Sequence, residues 1–504
     1  MKILSLCLCL ITLTSIATAQ DGWEIYTSKL LPVVNQEFEI RVKPPADAEF
    51  PVTVRLDVGG AGGRLDTELA FDDATASATK ITATDTGYLR GFIDFGNGFK
   101  QSFDIPVVWR ELYFSCWGPP EPHEREAHGY LNTHVIHTEK DPEIVKYWKD
   151  YGSQVIAWIG APRSDDSGNI PLESMESWCD AIGEFLDMGC DGVFVDEFGA
   201  YPNESGIVRM RSISKMMKMA RERFPDMLLM PATAGAIQRE LAIGYKEAGA
   251  IAMLEMYPTC MTRFFYSHSV RKHLDQRIET VRNTDLIHHA DQPQGAIVLL
   301  GTRVIGSHEE PVVAEIEDFV RYIKKTAPEM PGIGFYGGRY DGMTEELNRM
   351  IIDYYIKPVV DVRAIRFSPW SPRQDETVDI LVNIHNLGGM AARDVRVKVF
   401  ATQLGTSNKA EIGTIEIARI GNDTMDLKPS EGLPDRAHEF QEINGNRYVV
   451  YPQHNVVFLA RTTGKVTWTP PKAGYYTITA EVQSSNQHTI LDGAMQETLH
   501  VRPK

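Results

Sequence analysis

The spacing of apolar and polar positions divides the chain into three stretches with different periods. From about Trp23 to Trp109 apolar residues alternate with polar ones, as in Phe38, Ile40 and Val42, and in Val52, Leu56 and Val58 around Arg55 and Asp57. Turn signals cut these runs: Pro44-Pro45, Gly59-Gly60-Ala61-Gly62-Gly63, and Gly96-Asn97-Gly98 between Phe92–Phe95 and Phe99–Ile105. A period of two with frequent turns predicts a small antiparallel β-sandwich.

From Leu112 to about Tyr355 short apolar runs alternate with helical stretches. Eight runs stand out: Leu112–Trp117, His134–His137, Gln154–Ile159, Gly192–Phe198, Leu228–Ala232, Ala250–Tyr257, Ala296–Leu300 and Ile333–Tyr336. Between them apolar residues recur three or four apart. Met175, Trp178, Ile182 and Phe185 do so before Gly189, and Val312, Ile316, Phe319 and Ile323 after Pro311. Proline opening a helix and glycine closing one are the expected punctuation. Eight strand–helix repeats in about 245 residues predict a (β/α)8 TIM barrel, typically about 250 residues long. An open doubly wound sheet would bring a glycine-rich phosphate turn after its first strand, and Cys116-Trp117-Gly118-Pro119-Pro120 is not one.

Alternation returns from about Val362, in Val378, Ile380, Val382 and Ile384, in Val395, Val397 and Val399, and in Tyr476, Ile478, Ala480 and Val482. The expected fold class is therefore multidomain, α/β plus all-β. A barrel at 111–360 lies between immunoglobulin-like β-sandwiches at 20–110 and 361–504. Ile420–Arg447 reads as an elaborated loop.

Composition adds limits rather than a function. The 504 residues are 43% hydrophobic and 24% charged, ordinary for globular chains. A net charge of −17 repels phosphate backbones and anionic lipid, so no nucleic-acid partner is expected. Residues 1–19 read as a cleavable signal peptide: Lys2, a mostly apolar Ile3–Ile16, then Ala17-Thr18-Ala19 ahead of Gln20. That stretch is too short to span a bilayer, and no membrane span is expected elsewhere. Export to the periplasm or the medium follows as the expectation. Cys116, Cys179, Cys190 and Cys260 would remain in the mature chain. None has zinc-type spacing, and both one or two bridges and buried free thiols are open.

In a barrel the reacting groups gather at the carboxyl ends of the strands. Asp196 ends the fourth run and Glu255 lies near the end of the sixth, each a carboxylate in an otherwise apolar strand. An ionised group in such a place is costly unless paired or shifted. Two carboxylates converging on one cavity suit glycoside hydrolysis, one ionised and one holding a proton for the leaving oxygen. Glu255, with the higher reference pKa, suits the acid, and Glu197 either supports the reacting pair from behind or is itself the acid. The plainer reading pairs Asp196 with Arg163, Arg239 or Arg303 as a brace. Asp191 and Gly192 lie at the opposite, helix-to-strand end. Trp117, Trp158, Tyr257 and Tyr336 end strands, where flat rings can meet the C–H face of a sugar. His137 is a candidate for a substrate hydroxyl. His134, His137, His288, His289 and Asp291 match no standard metal spacing, and neither a metal nor a cofactor is expected. Asp165-Asp166-Ser167-Gly168-Asn169 lacks the distal glutamate of a calcium loop and reads as a solvated turn. Met210, Met216, Met217 and Met219 read as packing.

Two resemblances emerge from these residues. Ser368-Pro369-Trp370-Ser371-Pro372 before Val378–Asn386, then Leu387-Gly388-Gly389 and Trp468–Tyr476, resembles the bacterial CARDB-type adhesion modules over about 140 residues. It implies architecture, not chemistry. Asp191-Gly192 to Asp196 resembles the fourth-strand motif of retaining glycosidases. With a glutamate on strand six it is most similar to glycoside hydrolase family 66, the dextranase group, and family 114 carries a similar phrase. The resemblance implies Asp196 as nucleophile and Glu255 as acid/base. The α-amylase type would place an arginine where Phe194 stands. The expected function is a secreted glycoside hydrolase acting on a poly- or oligosaccharide, probed by Asp196→Asn. A non-catalytic carbohydrate-binding or adhesion protein is the alternative, and a metal-assisted barrel hydrolase a third reading. Sugar, linkage and oligomeric state stay open.

Overall fold

The computed structural model describes residues 22–96, 99–117, 129–136, 141–196, 204–233, 237–256, 267–284, 295–301, 313–336, 344–421, 439–443, 446–450, 461–485 and 487–504. The N-terminal part is a sandwich of two sheets. Strands β1 (Glu24–Thr27), β2 (Glu37–Lys43) and β5 (Ser77–Thr82) form one, in the order β1-β2-β5. Strands β3 (Val52–Gly60), β4 (Gly63–Phe71), β6 (Gly87–Asp94) and β7 (Lys100–Val107) form the other, in the order β4-β3-β6-β7. The alternating residues meet inside: Phe38, Ile40 and Val42 pack with Val54, Leu56 and Val58. The β3–β4 hairpin turns through Gly60, Ala61 and Gly62, all at positive φ. Glycine suits that conformation because it lacks a Cβ.

All eight apolar runs are strands of one closed parallel barrel. They are β8 (Tyr113–Trp117), β9 (Thr133–Ile136), β10 (Gln154–Gly160), β11 (Gly192–Asp196), β12 (Leu228–Thr233), β13 (Ile251–Met256), β14 (Gly295–Gly301) and β15 (Gly332–Tyr336). Outside lie α1 (Pro142–Asp150), α2 (Leu172–Asp187), α3 (Glu204–Arg223), α4 (Arg239–Glu247), α5 (Ser267–Asn283), α6 (Val313–Thr326) and α7 (Thr344–Ile351). The helical stripes bury as their spacing predicts: Met175, Trp178, Ile182 and Phe185 on α2, and Ile316, Phe319 and Ile323 on α6. Met210, Met216 and Met217 fill the layer between α3 and the strands. A short π-helical turn, Ile352–Ile356, leads out of the barrel.

The C-terminal part is a second sandwich. Its sheets are β22-β17-β16-β24 and β19-β18-β23-β25. Their strands are β16 (Val359–Ser368), β17 (Val378–Asn386), β18 (Ala392–Gln403), β19 (Lys409–Ile420), β22 (Arg461–Trp468), β23 (Gly474–Val482), β24 (Thr489–Ile490) and β25 (Ala494–Val501). The segment expected to be one long loop holds a hairpin instead, β20 (Glu439–Ile443) with β21 (Asn446–Val450).

Both sandwiches dock on the turns that enter the barrel strands. Leu30 N–H donates to Gly152 O (2.9 Å) and Arg41 to Asp150 O (3.1 Å), both at the turn between α1 and β10. Arg110 donates to the carbonyls of Pro328, Glu329 and Met330, the turn before β15. Arg321, near the end of α6, donates to Leu491 O (2.7 Å). The two sandwiches also touch each other. Asp85 is bonded to Arg393 and Arg419, and the Ala391 N–H donates to Thr86 Oγ1 (2.9 Å). The Trp109 indole donates to Gly388 O (3.1 Å). Val33, Val108, Trp109, Leu387, Met390 and Leu491 belong to the same buried cluster as the barrel's helix layer. These docking contacts lie at the amino ends of the strands, opposite the end where barrels carry their chemistry.

Candidate functional site

Strand alternation decides which side chains enter the barrel. Val135, Ile156, Phe194, Met230, Ile251, Met253, Ile297 and Leu299 form the interior cluster, with Trp158 and Tyr336 packed against it. Their neighbours Val193, Val195, Ala252 and Leu254 face the helices. Two residues past Phe194, Asp196 takes the inward side of β11; two past Met253, Glu255 takes the inward side of β13. Asp196 is half-buried at the strand end, whereas Glu255 is only 5% exposed.

Register explains what surrounds Asp196. Trp158 pairs with Phe194 and Gly160 with Asp196. Opposite the carboxylate there is thus no side chain, and a Cβ on Gly160 would meet nothing within 4 Å. Trp158 leans past that gap, and its indole Nε1–H donates to Asp196 Oδ2 (3.2 Å). On the other strand, Glu255 lies opposite Leu299, which lies opposite Gly334. Ser115, Leu299 and Met253 crowd the position a Gly334 side chain would need. Only β12 separates the two acidic strands. Strands lie about 4.8 Å apart, so the two backbones are about 10 Å apart across a curved wall.

Residues outside the sequence reading support this wall. Arg277 of α5, 2% exposed, donates through Nη1 to the carbonyl of Glu255. Its signal is an arginine on the buried stripe of Leu274, Ile278 and Val281, where a charge needs a fixed acceptor. Behind β12, Tyr245 and Thr233 share a hydrogen bond of 2.9 Å. Burial pushes the Tyr245 phenol up; the Thr233 bond opposes this and the Glu255 charge adds to it.

The other sequence candidates separate clearly. Tyr336 closes β15 beside the interior cluster and is half-buried. The Trp117 side chain, His137, Glu197, Tyr257 and Arg303 lie outside the described residues, as do His288, His289, Asp291 and Cys260. His134 faces away from the cavity. It stacks on Trp148 of α1 with ring centroids 4.1 Å apart and bonds Ser153 Oγ (3.2 Å). Asp191 is a brace, accepting from the Val155 N–H (2.9 Å) and from Lys149 (2.8 Å). Asp165 caps its own turn through Ser167 and Asn169. Cys116 is buried, and Cys179 and Cys190 are buried free thiols, with burial pushing Cys190 up to about 12. Among the described residues no group of three or more His, Cys, Asp or Glu side chains is placed to hold a metal ion, and no helix is long and apolar enough to cross a membrane.

No protein-family model matches the chain, and no curated protein matches it. Solved structures do align with it. A cycloisomaltooligosaccharide glucanotransferase from Paenibacillus sp., complexed with cycloisomaltoheptaose, is similar over 95% of this chain and 71% of its own, at 9% identity and a TM-score of 0.33. A family 39 glycoside hydrolase from Bacteroides cellulosilyticus is similar over 88% and 100%, at 11% identity and a TM-score of 0.31. A CARDB domain from Pyrococcus furiosus, in complex with di-metal ions, covers 29% of this chain and 90% of its own, at 14% identity and a TM-score of 0.17. Likenesses this distant transfer no residue's role. The architecture rests on the strand pairing itself.

Proposed function

We propose that the chain is an exported glycoside hydrolase whose reacting pair is Asp196 and Glu255. The observation that carries this reading is two inward carboxylates at the carboxyl ends of alternate barrel strands. One is half-open and held by an indole N–H; the other is 5% exposed, on a strand whose carbonyl at the same residue Arg277 holds. The half-open, hydrogen-bonded group suits attack on an anomeric carbon as the ion. The more enclosed one takes the acid/base role by its place on the neighbouring wall of the cavity. In the retaining sequence, Asp196 bonds to the anomeric carbon as Glu255 protonates the departing oxygen. Water, deprotonated by Glu255, then cleaves the ester. Trp158 and Tyr336 offer ring faces beside the cavity.

Incubation with a panel of poly- and oligosaccharides, read as new reducing ends, tests the reading. Asp196→Asn and Glu255→Gln are each expected to lower turnover at least a thousandfold with unchanged melting temperature. Near-normal turnover in either folded variant removes that residue from the chemistry. Sugar affinity without product, in the unmutated chain, favours a binding protein instead. NMR of the first-formed anomer separates retention from inversion.

A further inference from the structure

The tip of the C-terminal sandwich far from the barrel carries aromatic rings that the fold does not use. β16 leaves the barrel floor at Val359 and runs ten residues to Ser368, about 33 Å at the usual rise of a strand. Trp370 follows and is 80% exposed. Its backbone is nevertheless pinned: Ser371 Oγ donates to His500 O (3.1 Å), Arg502 Nε to Ser371 O (3.1 Å), and Arg502 N–H to Pro372 O (2.8 Å). On the adjoining strands Tyr475, 51% exposed, lies flat against His500, with centroids 4.6 Å apart and planes 20° apart. These are large rings on a fixed frame rather than loose chain.

Charge at this tip runs against the rest of the molecule. Arg373, Lys472, Arg502 and Lys504 are exposed around the rings. Gln374 ties the group together, its N–H donating to Arg502 O and its Nε2 to Pro471 O. Lys504 pairs with Asp375 (2.7 Å), and Glu376 accepts from the Arg373 N–H (2.6 Å). Among the described residues Arg373, Lys472 and Arg502 have no ion-pair partner. A chain of net charge −17 thus presents unneutralised cations beside open rings.

We propose that this tip binds an acidic polysaccharide, with Trp370 and Tyr475 stacked on sugar faces and Arg373, Lys472 and Arg502 set against its carboxylates or sulfates. The remaining surface repels every long polyanion alike, and it is the open rings, which suit the C–H face of a sugar, that favour a glycan over a polyphosphate. The choice of a glycan among polyanions also rests on the reading of the barrel given above.

Affinity electrophoresis of the full chain through polygalacturonate, dextran sulfate and neutral dextran, with single-stranded DNA as a fourth arm, tests the proposal. Retardation is expected in at least one acidic glycan, weakening with salt, and the two acidic arms tell carboxylate from sulfate. Trp370→Ala is expected to weaken binding about tenfold, a stacking contact's worth. The double variant Arg373→Gln with Lys472→Gln is expected to weaken it and flatten the salt dependence. Equal retardation in neutral dextran, tighter binding of DNA, or unchanged retardation of a folded Trp370→Ala protein overturns the proposal. Asp196→Asn is expected to bind like the unmutated chain. Loss of hydrolysis and loss of tip binding are therefore read separately, and an inactive barrel with Trp370-dependent retardation refutes only the enzymatic reading.

Discussion

At the scale of single residues, the contact between Trp158 and Asp196 depends on a pairing that no local pattern encodes. Asp196 and Glu255 are legible in the sequence as carboxylates in apolar runs. That Gly160 lies opposite Asp196, leaving Trp158 to reach it, follows only from the register of β10 against β11. Trp158→Phe keeps a ring and removes the N–H. It is expected to lower kcat about tenfold while leaving KM within a factor of two, measured by steady-state kinetics on whichever saccharide the panel identifies. An equal change in KM alone would make Trp158 a sugar platform only. His134 illustrates the converse. Its proximity to His137 in sequence suggests polar chemistry, but alternation turns it outward onto Trp148, where it packs.

At the scale of elements, the strands were legible because a buried parallel strand reads as a short apolar run bounded by turns. Their ends are equally constrained by close approach. A Cβ on Gly192 would lie 1.8 Å from Leu228 O, and one on Gly332 would lie 1.8 Å from Tyr113 O. Gly192→Ala is accordingly expected to cost about 3 kcal/mol or to prevent soluble expression, read by thermal melting. A variant with unchanged melting would show that β11 and β12 are free to separate. The β20–β21 hairpin was less legible, since its strands are only five residues each. The Asn444-Gly445 pair between them in the sequence is the signal for it. Alternation in the flanking sandwiches marks their strands, but period alone says nothing of which sheet each strand joins.

At the scale of the whole molecule, three parts share one floor. Asp85 joins the N-terminal sandwich to the C-terminal one. Burial alone would raise its carboxyl, but Arg419, the Thr86 N–H and Arg393 outweigh that and hold it below the ordinary value of 3.8. A carboxyl depressed in the folded state stabilises fully above its unfolded pKa and loses that contribution as pH falls through the folded value. Asp85→Asn is expected to cost about 1 kcal/mol at pH 7, given the partial exposure of the pair. The difference from the unmutated chain is expected to shrink below pH 3.8. Melting curves across pH 2.5–7 check this, and a gap that persists at the acid end would assign the effect to something other than the charge. The continuity of Val108, Trp109, Leu387 and Leu491 with the helix layer has a practical corollary for anyone trimming or shuffling the gene. Excising either flank would strand apolar surface in water, so an isolated barrel fragment should precipitate. Among the described residues the hydrogen bonds from the flanks to the barrel all fall at the floor, so grafted connections are better placed at the opposite rim.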